Sequence, residues 1–177
     1  DTHLDALSAA LFVGRLTTDG GVLEAARAAR AAPAAAQPPS AADLLLDGAA
    51  SVITDGYAAG APVLRRALAA FRDGRISEEE EIRWLWLAAR VAVNLWDDET
   101  WHVLANRHVE LSRASGALTV LPIALSSRIV VHINEGEPAA AARQVAENAE
   151  QARAGLIDDL DDATAILGDL IDLAQDN

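Results

Sequence analysis

The sequence Gly56-Tyr57-Ala58-Ala59 ends one helix-like run and opens the next. Variants of it recur at intervals of about 40 residues, as Asp98-Glu99-Thr100-Trp101 and Glu137-Pro138-Ala139-Ala140. A fainter version, Gly21-Val22-Leu23-Glu24-Ala25-Ala26, lies roughly 35 residues before the first. A repeat of this length is typical of helical hairpins stacked side by side, because each hairpin buries a face of its neighbour.

The composition favours a single all-α domain. The chain has 177 residues, of which 51% are hydrophobic, so it can bury a substantial core. Alanine, the strongest helix former, dominates, and there are few runs of alternating β-branched and aromatic residues. We therefore predict stacked antiparallel helical hairpins with about nine helices and no strands.

Turn and capping residues divide the chain into four predicted regions. Residues 1–31 predict an N-terminal helical hairpin, and the prolines in 32–40 indicate a Pro/Ala-rich linker. Residues 41–155 form the predicted helical-repeat core, and 156–177 an acidic C-terminal helix. Within the core we expect helices over approximately 41–54, 57–72, 79–96, 99–114, 120–134 and 138–154.

The repeated phrases resemble tetratricopeptide-type repeats, in which a glycine and an aromatic residue open the second helix. Small residues lie where the two helices of such a repeat touch. The residues that match this spacing at the first phrase are Tyr57, Gly60, Leu64, Ala67 and Leu68. The resemblance implies that the hairpins form a segment of a right-handed solenoid.

A second resemblance covers about residues 42–152. It rests on Ala42-Asp43-Leu44-Leu45-Leu46-Asp47-Gly48, Asp55-Gly56-Tyr57-Ala58-Ala59, Pro62 to Phe71, Ile82-Arg83-Trp84-Leu85-Trp86-Leu87-Ala88 and Leu95-Trp96-Asp97-Asp98-Glu99-Thr100-Trp101. These runs are similar to the helical middle region of large ATP-binding LuxR-type transcriptional regulators, which lies between an ATPase and a DNA-reading helix-turn-helix. The chain has no Gly-x-x-x-x-Gly-Lys-Ser/Thr motif and no basic recognition helix, so the resemblance implies the middle region only.

That resemblance implies a non-catalytic sensor or scaffold region that binds a protein partner or a small-molecule effector. The formal net charge of −13 argues against direct binding of nucleic acid by this segment. Cysteine is absent, which excludes disulfides and thiolate metal sites, and no apolar stretch is long enough to cross a bilayer. We expect a cytoplasmic protein without a cofactor; self-association as a homo-oligomer remains an open alternative.

Four tryptophans within 18 positions are the main candidates for a binding site: Trp84, Trp86, Trp96 and Trp101. They could line a pocket for an apolar effector, or fill the space between stacked hairpins. Arg83, Arg90 and His102 lie beside them and are weaker candidates for the same role. The arginines of this region, Arg107 and Arg128 among them, are also suited to ion pairs between helices.

An acidic run near the C-terminus, Asp158-Asp159-Leu160-Asp161-Asp162, resembles the aspartate-rich magnesium site of all-α terpene synthases. Carboxylates one helical turn apart, as Asp158 and Asp159 each are from Asp162, could hold such an ion. An acidic helix start needs no metal, however, because it complements the helix dipole. The alternative function is thus a small all-α enzyme or ligand-binding protein with a tryptophan-lined pocket or an Asp-rich metal site, although no catalytic residue is predicted.

Overall fold

The computed structural model describes residues 2–13, 21–33, 38–74, 76–117 and 119–151. Within these ranges the chain forms α-helices and no β-strand, which confirms the all-α prediction for this part of the molecule. The eight helices are α1 Thr2–Val13, α2 Gly21–Ala31, α3 Ala41–Asp55, α4 Tyr57–Arg72, α5 Glu78–Asn94, α6 Asp98–Ala114, α7 Leu121–Asn134 and α8 Pro138–Gln151. The predicted ninth helix, with Asp158, Asp159 and Asp162, lies outside the described residues.

Side-chain caps explain where several helices begin. Ser40 and Asp43 form a complete capping box at α3, in which each side chain accepts a hydrogen bond from the other residue's backbone N–H, at 3.0 and 2.9 Å. The Asp97 carboxylate caps α6 by accepting from the Thr100 N–H at 3.1 Å.

No helix of the described ranges combines the length and the apolar character that crossing a lipid bilayer demands.

The described chain divides into two compact units, which we treat separately. The first comprises the described residues of 2–80 together with 94–96, and the second comprises 81–93 together with the described residues of 97–151. In the first unit, α1 packs on α2 and α3, α2 packs on α3, and α3 packs on α4. In the second, α6 packs on α7 and α7 packs on α8, so that neighbours in sequence are also neighbours in space.

The α3–α4 hairpin is held at close range by two glycines. A Cβ atom added to Gly60 would lie 2.4 Å from the Gly48 carbonyl oxygen and 2.6 Å from the Val52 backbone nitrogen. Gly56 alone links the two helices, with φ of 95° and ψ of 169°, a conformation essentially restricted to glycine. Of the residues that match the tetratricopeptide spacing, Gly60, Leu64, Ala67 and Leu68 are buried and Tyr57 is exposed.

The second unit has an apolar core with polar side chains buried in it. Val109 of α6 packs with Leu121, Ala124 and Leu125 of α7, and Ile129 of α7 packs with Ala141 of α8. The polar or charged residues of α6 and α8 that are also buried are Thr100, His108, Ser112, Gln144 and Asn148. This unit therefore combines hydrophobic packing with a set of enclosed hydrogen-bonding groups.

One helix end departs from its predicted position. The pattern of apolar residues predicts that the helix beginning near residue 79 continues to about Trp96, whereas α5 ends at Asn94. Trp96 has φ of 56°, in the left-handed region, and is the one non-glycine residue of the described ranges with positive φ. The Asp97 N–H donates to the Ala92 carbonyl at 3.0 Å, which closes the helix in a Schellman motif with Trp96 at the left-handed position.

Candidate functional site

A small pocket lies where the first turn of α6 meets the end of α7. Its volume is about 100 Å³. The lining residues are Asp98, Trp101, His102, Val131, Asn134 and Glu135. Small-molecule sites usually measure about 300–1,000 Å³, so this pocket has room for an ion or a few waters rather than for an organic effector.

A histidine–glutamate pair marks the rim of this pocket. Nδ1 of His102 lies 2.6 Å from Oε1 of Glu135, and the two side chains are 46% and 40% exposed. Asp98, one helical turn before His102, adds a second carboxylate to the lining. The pocket rim is therefore polar and formally acidic, and it offers oxygen and nitrogen ligands to a cation.

Glu135 also belongs to a second group of ligand-type side chains. His132, Glu135 and Glu137 each offer one nitrogen or oxygen atom, and these three atoms lie within 4.8 Å of one another. Nδ1 of His132 is 3.1 Å from Oε2 of Glu137. Among the described residues, this group is the one arrangement of three histidine or acidic side chains with a geometry suited to a metal ion.

The four predicted tryptophans do not share one environment. Trp84 and Trp101 are buried, Trp86 is half-buried, and Trp96 is 88% exposed. Trp101 lines the pocket together with His102, another predicted residue. A tryptophan-lined pocket needs two indoles in one cavity, and the pocket at the α6–α7 junction has one.

The arginines of this region are engaged in different ways. Arg107 of α6 pairs with Glu81 of α5, whose side chain is only 6% exposed, and this is an ion pair between helices of the predicted kind. The Arg83 guanidinium lies 5.0 Å from the centre of the Trp84 ring, within cation–π range. Arg90 is exposed on α5. Arg128 donates from Nε to the Gln144 side-chain oxygen at 2.7 Å.

His108 of α6 is fully buried, and neither of its ring nitrogens has a hydrogen-bond partner among the described residues. Burial lowers the pKa of His108 from 6.5 to about 4, so the ring is neutral at pH 7. Ser112 Oγ and Asn148 Oδ1 are likewise buried and without a partner in the described part. Asn148 donates from Nδ2 to Ser126 Oγ at 3.2 Å. These groups form the polar interior of the second unit.

The sequence predicts His102 as a candidate binding residue but not Glu135, His132 or Glu137. His102 and Glu135 are 33 positions apart and meet only because α6 and α7 pack antiparallel. The other three residues follow the spacing His-x-x-Glu-x-Glu across a helix end, a local signal that the sequence does carry.

Comparison with known proteins identifies no relative of this chain. The chain matches no family model, no curated protein and no solved structure.

Proposed function

We propose that this chain is a non-catalytic helical-repeat module that binds a protein partner in the cytoplasm, as part of a LuxR-type transcriptional regulator. The regulator context rests on the tryptophan-rich resemblance between Ile82 and Trp101. The tetratricopeptide-like arrangement is supported by the pairing of consecutive helices and by the two glycines at the α3–α4 contact. The observation that carries partner binding is the conformation and exposure of Trp96.

Trp96 occupies a backbone position that glycine occupies elsewhere in the chain. Three helices have the same closing hydrogen bond, from Asp97 to Ala92, from Ala117 to Ser112 and from Glu137 to His132, at 3.0, 2.9 and 2.8 Å. The left-handed residue is Gly116 after α6 and Gly136 after α7, with φ of 68° and 73°. A residue with a Cβ atom is less stable in this region by roughly 1–2 kcal/mol, so Trp96 is not the residue that folding alone favours.

The side chain of Trp96 is also unfavourable on a surface that stays in contact with water. At 88% exposure, it leaves a large apolar ring in water. Tryptophan is enriched among the residues that dominate protein–protein binding, where truncation typically costs about 2 kcal/mol or more. A conformationally strained, exposed tryptophan is therefore what we expect of an interface anchor that becomes buried when the partner binds.

A protein partner fits the described chain better than a small effector does. The pocket beside Trp101 holds about 100 Å³, below the size of sites for organic ligands. A protein surface, by contrast, can cover an isolated tryptophan without a preformed cavity. Effector capture in this pocket would require it to enlarge about threefold.

Photo-crosslinking tests the proposal at residue level. A benzoyl-phenylalanine at position 96 is expected to form a specific adduct in cells that encode the protein, and the same group at exposed Ala69 is the control. With the cross-linked protein purified, Trp96→Gly should weaken its binding about 30-fold, equivalent to 2 kcal/mol. Equal adducts from both positions, or unchanged affinity of Trp96→Gly, would contradict the proposal.

The coding sequence around this segment tests the regulator context separately. The proposal expects an ATPase with a phosphate-binding loop upstream and a helix-turn-helix downstream in the same reading frame. A reading frame that encodes neither removes the LuxR-type context. It leaves partner binding at Trp96 to be decided by the cross-linking experiment alone.

A further inference from the structure

The end of α7 carries a second arrangement, which does not depend on Trp96. His132 lies in the last turn of the helix, Glu135 directly follows the helix, and Glu137 follows the left-handed Gly136. The Glu137 N–H donates to the His132 carbonyl at 2.8 Å. This hydrogen bond fixes the backbone of Glu137 close to that of His132, so the turn itself brings the two side chains together.

We propose that His132, Glu135 and Glu137 bind a divalent first-row transition cation of the zinc type. Their ligand atoms lie within 4.8 Å of one another, and His132 Nδ1 and Glu137 Oε2 are separated by 3.1 Å. Bonds of about 2.1 Å in a tetrahedral site place neighbouring ligand atoms about 3.4 Å apart. The His132–Glu137 separation is already close to that value, and the ligand atom of Glu135, an exposed side chain, lies within 4.8 Å of both.

The ligand types favour a transition cation over magnesium or calcium. Imidazole nitrogen is a good ligand for zinc, copper, iron and nickel, whereas magnesium and calcium prefer sites built from oxygen alone. The two carboxylates supply two negative charges, and the net charge of the whole chain is −13. Three protein ligands leave a tetrahedral ion with one open position.

His102 acts as a positioning residue for Glu135. Its Nδ1 lies 2.6 Å from Glu135 Oε1 and orients the carboxylate from the α6 side. Hydrogen-bond partners of metal ligands typically change affinity by about 10–100-fold when they are removed. Since Glu135 also lines the α6–α7 pocket, a bound ion would lie at the edge of that pocket.

Titration of the 177-residue chain with Zn²⁺, in competition with a chromophoric chelator, tests the site. We expect His132→Ala and Glu137→Gln each to weaken zinc binding at least tenfold. His3→Ala is the matched control, because His3 is an exposed helical histidine on α1, and it should bind zinc as the wild type does. His102→Leu should weaken binding about tenfold, while His102→Gln, which retains a donor, should bind within a few-fold of the wild type.

The alternative is two ordinary surface pairs, His102–Glu135 and His132–Glu137. That alternative predicts equal zinc affinity for the wild type and the His132→Ala variant, and this result would overturn the proposal. X-ray absorption provides an independent readout, in which the imidazole signal of the bound zinc should disappear in His132→Ala. Glu137→Gln, which preserves the size of the side chain at a 57% exposed position, decides the question if His132→Ala unfolds.

Discussion

The α3–α4 hairpin and the α6–α8 segment are both built from antiparallel helices, but their interiors differ. In the α3–α4 hairpin, Gly48 and Gly60 let the two helices approach so closely that neither position has room for a Cβ atom. The second encloses His108, Ser112 and Asn148, each with at least one polar atom that has no partner in the described chain. One helical architecture can therefore be sensitive to side-chain volume in one place and to protonation in another.

We expect the largest loss of stability from a substitution that disrupts the close contact between α3 and α4. Gly60→Ala places a Cβ atom 2.4 Å from a backbone oxygen, and backbone cannot move aside as a flexible side chain can. We expect the free energy of unfolding to fall by about 3 kcal/mol or more, measured by urea denaturation followed by circular dichroism. The matched control is Gly21→Ala, where a Cβ atom meets nothing within 4 Å and should be neutral or slightly stabilising.

The next largest change in stability should come from protonation of His108 in the second unit. The pKa of His108 is about 4 in the folded protein and about 6.5 when unfolded, so the unfolded chain binds the proton first as the pH falls. The stability that depends on neutral His108 is complete above pH 6.5 and declines toward pH 4, by about 3 kcal/mol. The difference between wild type and His108→Leu, measured across this range, isolates the histidine from the carboxylates.

His108→Leu at pH 7.5 sharpens the contrast further. The substitution removes two buried nitrogens without partners and replaces them with a side chain suited to an apolar core. We expect stability to stay level or to rise by about 1 kcal/mol. A loss above 2 kcal/mol would instead mean that the imidazole makes interactions in solution that offset its burial.

The smallest effects concern the turns that close the helices. Gly136→Ala should cost about 1 kcal/mol because alanine is strained at φ of 73°. Trp96→Gly should be neutral or stabilising by up to about 1 kcal/mol at the equivalent position, since relief of strain outweighs the added freedom of the unfolded chain. In thermal denaturation, a loss of stability in Gly136→Ala without a loss in Trp96→Gly would confirm the equivalence of the two turns, and a destabilised Trp96→Gly would contradict it.

Local chemistry accounts for the parts of the fold that the sequence predicts well. Ser40 and Gly56 mark helix ends through a cap and through backbone freedom, and the predicted bounds of α4, from about Tyr57 to Arg72, match the structure. The sequence does not predict the left-handed turn at Trp96, because a tryptophan gives no signal for such a turn. In such cases the backbone conformation is set by surroundings that a local pattern does not contain.

The candidate site was less predictable for a related reason. Trp101 and His102 were identified as candidates, but their pocket depends on which residues of α7 lie opposite them. That register follows from the packing of Val109 against Leu121 and Leu125, a contact between helices rather than a spacing within one. The sequence alone therefore does not predict Glu135 as a partner of His102, although it does contain the His-x-x-Glu-x-Glu spacing from His132 to Glu137.

The contact between Gly48 and Gly60 has a kinetic consequence. The two glycines are twelve positions apart, and a single residue joins their helices, so their encounter requires very little chain closure. We infer that this hairpin forms early during folding, before the segments that enclose His108. In native-state hydrogen exchange, the amide of Val52, beneath Gly60, should then be among the last to exchange with solvent.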